Sequence, residues 1–177
     1  MVTSQLEISV VEKLGAHHRV SAFASGKNSL DLFIRRHALA NQRADASQTY
    51  VVHMDKVVVG YYTLVFCSVR LEDSPASIQT TMPPKYRIPA MLFARFAVDK
   101  KLQGRGVGTA LLKDAFLRTA GAAEIGGLAA IVVDAIDDKM VTFYKGYGFT
   151  ECPSGERRLM MAIKGVRDHL TGNSTRG

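Results

Sequence analysis

The sequence predicts one mixed α/β domain, a central sheet covered by helices. Three observations carry that expectation: β-branched and aromatic runs recur along the chain, apolar residues at helical spacing separate them, and glycines and prolines punctuate the joins. At 177 residues and 47% apolar content, the chain suits one domain with a sizeable core. That domain is expected over residues 4–168, followed by a loose tail at 169–177, since Thr171 to Gly177 holds no apolar residue to bury.

Leu6 to Val11 alternates as a strand does. Asn28, a good N-cap with Asp31 three residues on, precedes Leu30, Phe33, Ile34 and Ala38, which predicts a helix to Arg43. Thr49 to Met54 and Val57 to Arg70 read as a hairpin turning at Asp55-Lys56. From Glu72 to Pro89 four prolines and intervening polar residues predict a surface loop, of a length that is often functional. Met91 to Val98 returns to strand composition, and after a glycine-rich turn Val107, Leu111, Leu112, Ala115 and Phe116 form a helical stripe. Leu128 to Ala135 is a strand, and Asp137 or Asp138 caps a helix through Tyr144 that stops at Gly146 and Gly148. A hairpin of Phe149 to Cys152 and Arg158 to Lys164 closes the sheet.

Charges at Glu7, Glu12, Lys13 and Arg19 argue against a signal peptide, and the longest apolar run, Val57 to Cys67, is about 11 residues against the roughly 20 of a membrane helix. A cytoplasmic protein with no membrane span is expected. Cys67 and Cys152 stand in no CxxC and near no histidine at zinc spacing, so they read as reduced core thiols and no metal is expected. The net charge of +7 favours an anionic partner, and charge alone does not separate an anionic cofactor from a nucleic acid.

Gln103-Gly104-Arg105-Gly106-Val107-Gly108 is the most informative stretch. Its glycines let the backbone turn tightly, and the helix that follows adds unpaired N–H groups and the positive end of its dipole, a combination that suits phosphate or pyrophosphate. Neither the P-loop nor the Rossmann spacing fits. Gln103-x-x-Gly106-x-Gly108 behind a strand resembles the Q/R-x-x-G-x-G/A motif of GNAT acetyltransferases. The resemblance implies a GNAT fold with a mostly antiparallel, splayed sheet, and acetyl-CoA as co-substrate. It further implies a pyrophosphate cradle of Gln103, Gly104, Arg105, Gly106, Val107, Gly108 and Thr109, and pairing of Phe96, Ala97 and Val98 with the pantetheine arm. Arg105 and Lys113 stand ready for the coenzyme's phosphates.

Phe143-Tyr144-Lys145-Gly146-Tyr147-Gly148-Phe149 resembles the family's F-Y-x-x-x-G-F segment, which makes Tyr144 the candidate acid for the departing thiolate. No general base stands in either motif. An amine of pKa near 8 needs none, which favours an α-amino group over a lysine side chain.

A narrower resemblance runs through Phe23-x-x-Gly26-x-x-x-Leu30-Asp31, Gln42, Thr49-Tyr50-Val51-Val52 and Ala94-Arg95-Phe96-Ala97-Val98. In joint order these look like the tRNA-acetylating, TacT-like GNAT toxins, with Ala24-Ser25 where that group commonly has a cysteine. The resemblance implies acetylation of the α-amine of aminoacyl-tRNA, a ribbon-helix-helix antitoxin and a homodimer. Lys27, Arg35, Arg36, Lys85 and Arg87 are candidate RNA contacts, and Arg95 a contact at the acceptor end or the pantetheine cleft, or else one half of an internal salt bridge. A small-amine or protein-amine acetyltransferase and a non-catalytic acyl-CoA-binding module are the alternatives.

Overall fold

A computed structural model describes residues 7–172. In chain order it contains β1 (Glu12–Lys13), α1 (Asn28–Arg36), α2 (Ala38–Arg43), β2 (Gln48–Met54), β3 (Val57–Val69), α3 (Ala76–Gln79), β4 (Ile88–Val98), α4 (Val107–Ile125), β5 (Ala130–Asp134), α5 (Asp138–Gly146), β6 (Thr150–Glu151), β7 (Arg158–Ala162) and α6 (Ile163–Thr171). The strand order is β1-β2-β3-β4-β5-β7-β6, with β4 and β5 parallel and the other described pairings antiparallel.

Contacts gather into two compact units, one holding the chain up to Val65 with Arg95–Ala115, the other Phe66–Ala94 with the chain from Phe116 on. β3, β4 and α4 run through both, so the units share continuous elements. The first has a core of Leu14, Phe23, Ile34, Ala38, Val51, Val58, Tyr61 and Ala97. The second packs Val69, Ile78, Ile88, Ala90, Ala130, Val132, Cys152 and Met160.

Several elements differ from expectation. The first strand is Glu12–Lys13, not Leu6 to Val11; Ile8 and Val10 are exposed, and Leu6 lies outside the described residues. The helix expected from Asn28 to Arg43 divides at His37, where φ falls to −118°. Lys27, not Asn28, is the N-cap, and Asp31 bonds to Ser25 upstream of it. The loop from Glu72 holds α3, and β4 begins at Ile88, with Pro89 inside it. Pro89 has no N–H to donate, and its carbonyl accepts from the Ala129 N–H at 2.8 Å.

The closing hairpin is shorter than expected. β7 ends at Ala162, and the chain passes directly into α6, which carries Lys164 and runs beyond residue 168 to Thr171, with Gly172 as a left-handed C-cap. The remainder of the expected tail lies outside the described residues.

Candidate functional site

In the first unit, β4 leads through a single 3₁₀ turn, Lys100–Leu102, to the glycine-rich segment and the start of α4. Asp99 sets this turn: its carboxylate accepts from the Lys101 N–H at 3.0 Å and from the Ala24 N–H at 3.2 Å. Gly104 and Gly106 have φ of 77° and 82°, a region that side-chain-bearing residues enter at a cost. The carbonyl of Gly106 accepts from the Ala110 N–H at 3.1 Å, which makes Gly106 the residue ahead of the first helical turn. The N–H groups of Val107, Gly108 and Thr109 therefore stand in the first turn of a 19-residue helix, at the positive end of its dipole. Arg105, Lys101 and Lys113 are exposed beside them. An anion with several oxygens suits such a cradle.

Gln103 does something its motif did not disclose. Its side-chain amide donates to the carbonyls of Val98, 2.9 Å away, and of Ser25, 2.8 Å away. The amide thus holds the strand end against the Ser25–Gly26 bend. Ser25 is in turn fixed by the buried Asp31 carboxylate, which accepts from its N–H at 2.8 Å and its hydroxyl at 2.6 Å. The Lys100 N–H adds a bond to Ala24 O at 2.9 Å. Sequence reasoning missed the Asp31–Ser25–Gln103 chain.

The expected substrate contacts divide. Lys27, Arg36 and Arg95 are exposed in the first unit, and Arg95 lies over the Phe33 ring, 5.1 Å from its centroid. Arg35 is also exposed, but its guanidinium donates to the Phe23 carbonyl. In the second unit Lys85 is exposed at a φ of 63°, and Arg87 donates through Nε to Ser68 Oγ at 2.9 Å.

Tyr144 belongs to the second unit. Asp137 caps α5 through the Met140 N–H at 2.9 Å, as the sequence suggests. The Tyr144 ring is 4% exposed and meets Phe93, Phe143 and Phe149 edge-on at centroid distances of 6.3, 5.4 and 5.4 Å. Its hydroxyl has no hydrogen-bond partner among the described residues, so it is not the backbone-tied core tyrosine that a purely structural role would provide. Burial pushes its pKa well above the usual phenol value, which keeps the proton in place at any physiological pH.

Cys67 and Cys152 both have pKa values raised by burial, that of Cys152 to about 11, so both stay thiols at neutral pH. The first unit also gathers Glu12, His17, His18 and His53. Glu12 Oε1 lies 2.6 Å from His18 Nε2 and 2.8 Å from His53 Nε2. Glu12, His17 and His18 bring possible ligand atoms within 4.8 Å of one another. However, His18 Nδ1 and His53 Nδ1 accept the backbone N–H groups of Gly15 and Lys56. Both Nε2 atoms must then carry hydrogen and donate to Glu12, which leaves neither free for a metal.

Residues 45–151 match the profile of the acetyltransferase (GNAT) domain. A tRNA-acetylating toxin of Mycobacterium tuberculosis (strain ATCC 25618 / H37Rv) is 40% identical over 148 residues, covering 84% of this chain and 88% of its own. The solved structure of AtaT complexed with acetyl-methionyl-tRNAfMet superposes with a TM-score of 0.85 at 27% identity, covering 93% of this chain and 99% of that one. A mutant form of AtaT bound to the C-terminus of the antitoxin AtaR and acetyl-CoA superposes with a TM-score of 0.78 at 25% identity, over 93% and 98% of the two chains.

Proposed function

Because the chain belongs to the GNAT acetyltransferase family, we propose that it transfers the acetyl group of acetyl-CoA to the α-amino group of aminoacyl-tRNA, blocks translation as a toxin, and is silenced by a cognate antitoxin. The observation that carries this is the 40% identity to a tRNA-acetylating toxin along 84% of the chain, joined to a preformed anion cradle at Gly104–Thr109 in a chain of net charge +7. The toxin–antitoxin complex among the matched structures supports a protein antagonist. A ribbon-helix-helix antitoxin, a homodimeric toxin and a cytoplasmic location complete the proposal. Among the described residues no helix is long and apolar enough to cross a membrane.

In the proposed reaction the pyrophosphate rests on the amides of Val107, Gly108 and Thr109, with Arg105 and Lys113 beside it and the pantetheine arm along Phe96, Ala97 and Val98. Gln103 acts on that track as a positioning residue through the Val98 and Ser25 carbonyls. The neutral α-amine attacks the thioester carbonyl, the C–S bond breaks, and the thiolate takes a proton from the Tyr144 hydroxyl. The amine's own proton leaves to water, and water returns a proton to the Tyr144 phenolate. Lys27, Arg36, Lys85, Arg87 and Arg95 are the proposed RNA contacts, together with whatever part of Arg35 its bond to Phe23 leaves over.

Labelled acetyl-CoA incubated with bulk charged tRNA tests this. Label entering RNA only when the tRNA is charged is the expected result. Label entering uncharged tRNA equally, or entering polyamines and peptides instead, would overturn the acceptor assignment while leaving the acetyltransferase intact.

A further inference from the structure

In the second unit, Phe66 is 70% exposed although the strand before it is almost wholly buried, and Tyr86 is 54% exposed. Phe66 and Ser68 lie two apart in β3 and so share a face, and Arg87 reaches Ser68 Oγ at 2.9 Å, which brings its guanidinium over that face. Tyr86 and Arg87 line, with Cys67, Ser68, Pro89 and Gly127, an open groove of about 480 Å³. The turn that presents them is stiff: Pro83 and Pro84 precede it, the Tyr86 N–H closes on Pro83 O at 3.2 Å, and Lys85 sits in the left-handed region.

We infer that this groove is a stacking platform for an unpaired nucleotide near the 3′ end of the charged tRNA, with the base on Tyr86 or Phe66 and the phosphate on Arg87 and Lys85. The inference rests on the aminoacyl-tRNA reading above and adds where the strand is gripped. Basic and aromatic residues alternate here as Lys85-Tyr86-Arg87, no carboxylate lines the groove, and Nη1 and Nη2 of Arg87 have no partner among the described residues. Single-stranded nucleic acid is held by this pairing of a cationic track with exposed aromatic faces. An apolar protein partner would want a contiguous apolar patch, and the lining is broken by Ser68, Arg87 and Gly127. The stiff turn leaves little ordering to be done when the base arrives.

The test compares wild-type protein with Phe66→Ala, Tyr86→Ala and Tyr86→Trp. It measures affinity for uncharged tRNA and for a short single-stranded RNA ending in CCA, the KM for charged tRNA and for acetyl-CoA, and thermal melting. Tyr86→Ala is expected to weaken RNA binding roughly 5- to 100-fold, to raise the KM for charged tRNA in step and to leave the KM for acetyl-CoA unchanged. Tyr86→Trp, which keeps a stacking face, is expected to restore binding. Unchanged RNA affinity in both alanine variants, with a wild type that acetylates charged tRNA, overturns the platform and spares the acceptor assignment. A change confined to antitoxin binding or self-association also overturns it, because the face would then be a protein contact. A wild type that neither binds nor acetylates tRNA overturns the acceptor assignment first.

Discussion

Gly60 of β3 and Leu111 of α4 approach so closely that a β-carbon on Gly60 would sit 3.0 Å from Leu111 Cδ1, with Val52 Cγ2 at 3.1 Å and Val107 Cγ1 at 3.3 Å. All four residues lie in the first unit, and Leu111 is fully buried. The contact fixes how near the helix that begins at the glycine-rich turn can lie to the strand beneath it.

Gly60→Ala is therefore expected to destabilise the fold by about 1–3 kcal/mol through overpacking. Thermal or denaturant unfolding followed by circular dichroism would measure it. No loss of stability would mean that Leu111 has room to turn aside.

Gly106→Ala probes the proposed anion cradle. Nothing lies within 4 Å of the added carbon, so the only penalty is the backbone at φ 82°. If the turn relaxes to escape that strain of about 1–2 kcal/mol, the KM for acetyl-CoA should rise roughly 5- to 30-fold with little change in kcat. Gly121→Ala is the control: this helical glycine also has nothing within 4 Å and no positive φ, so the change should add about 0.5–1 kcal/mol of stability and leave both kinetic constants alone.

Gly104 and Gly106 show what the sequence could disclose. A short motif with a positive-φ turn and a helix behind it is local, and so is the Asp55-Lys56 hairpin, whose two residues adopt φ of 47° and 68° as a tight turn requires. Gln103 and Ser25 are 78 residues apart, so no spacing rule connects them, and Asp31 looked like part of a capping box because its true partner precedes the cap. The helix α6 was hidden differently. Ile163, Val166 and Leu170 have helical spacing, but Gly165 reads as a breaker. In the fold that glycine leaves room for Met161, whose side chain would have to shift if a β-carbon stood there, 2.8 Å from its Cγ.

The Glu12–His18–His53 group gives stability a pH dependence. His18 is pushed below its ordinary pKa of 6.5, first by burial, and the hydrogen bond from His18 lowers Glu12 below its ordinary 4.5. Below about pH 6.5 the unfolded chain therefore binds a proton that the folded one resists, and below about 4.5 the Glu12 carboxylate adds a second loss. Both effects make the fold less stable as pH falls, and neither acts above pH 6.5. Repulsion from His17, whose ring is tilted against that of His18 at a centroid distance of 4.0 Å, and from His53 pushes His18 the same way. His18→Asn keeps an acceptor for the Gly15 N–H without a titrating ring, so its melting temperature should fall less between pH 7 and pH 5 than that of the wild type. Parallel curves for the two proteins would remove His18 as the cause.

Tyr144→Phe separates chemistry from packing at the proposed acid. The ring is buried among Phe93, Phe143 and Phe149, and its hydroxyl has no partner among the described residues, so its removal should leave the melting temperature unchanged within about 0.5 kcal/mol of stability. Acetyl-CoA affinity should also hold. Loss of the proton donor should lower kcat by roughly 10²- to 10⁴-fold. The wild-type pH profile supplies a second check. An α-amine nucleophile predicts a rate that rises to a plateau near pH 8, and a phenol whose pKa burial has raised predicts no descending limb below about pH 10. A stable variant with near-normal kcat would mean that the thiolate leaves without Tyr144, and the proton would then have to come from solvent.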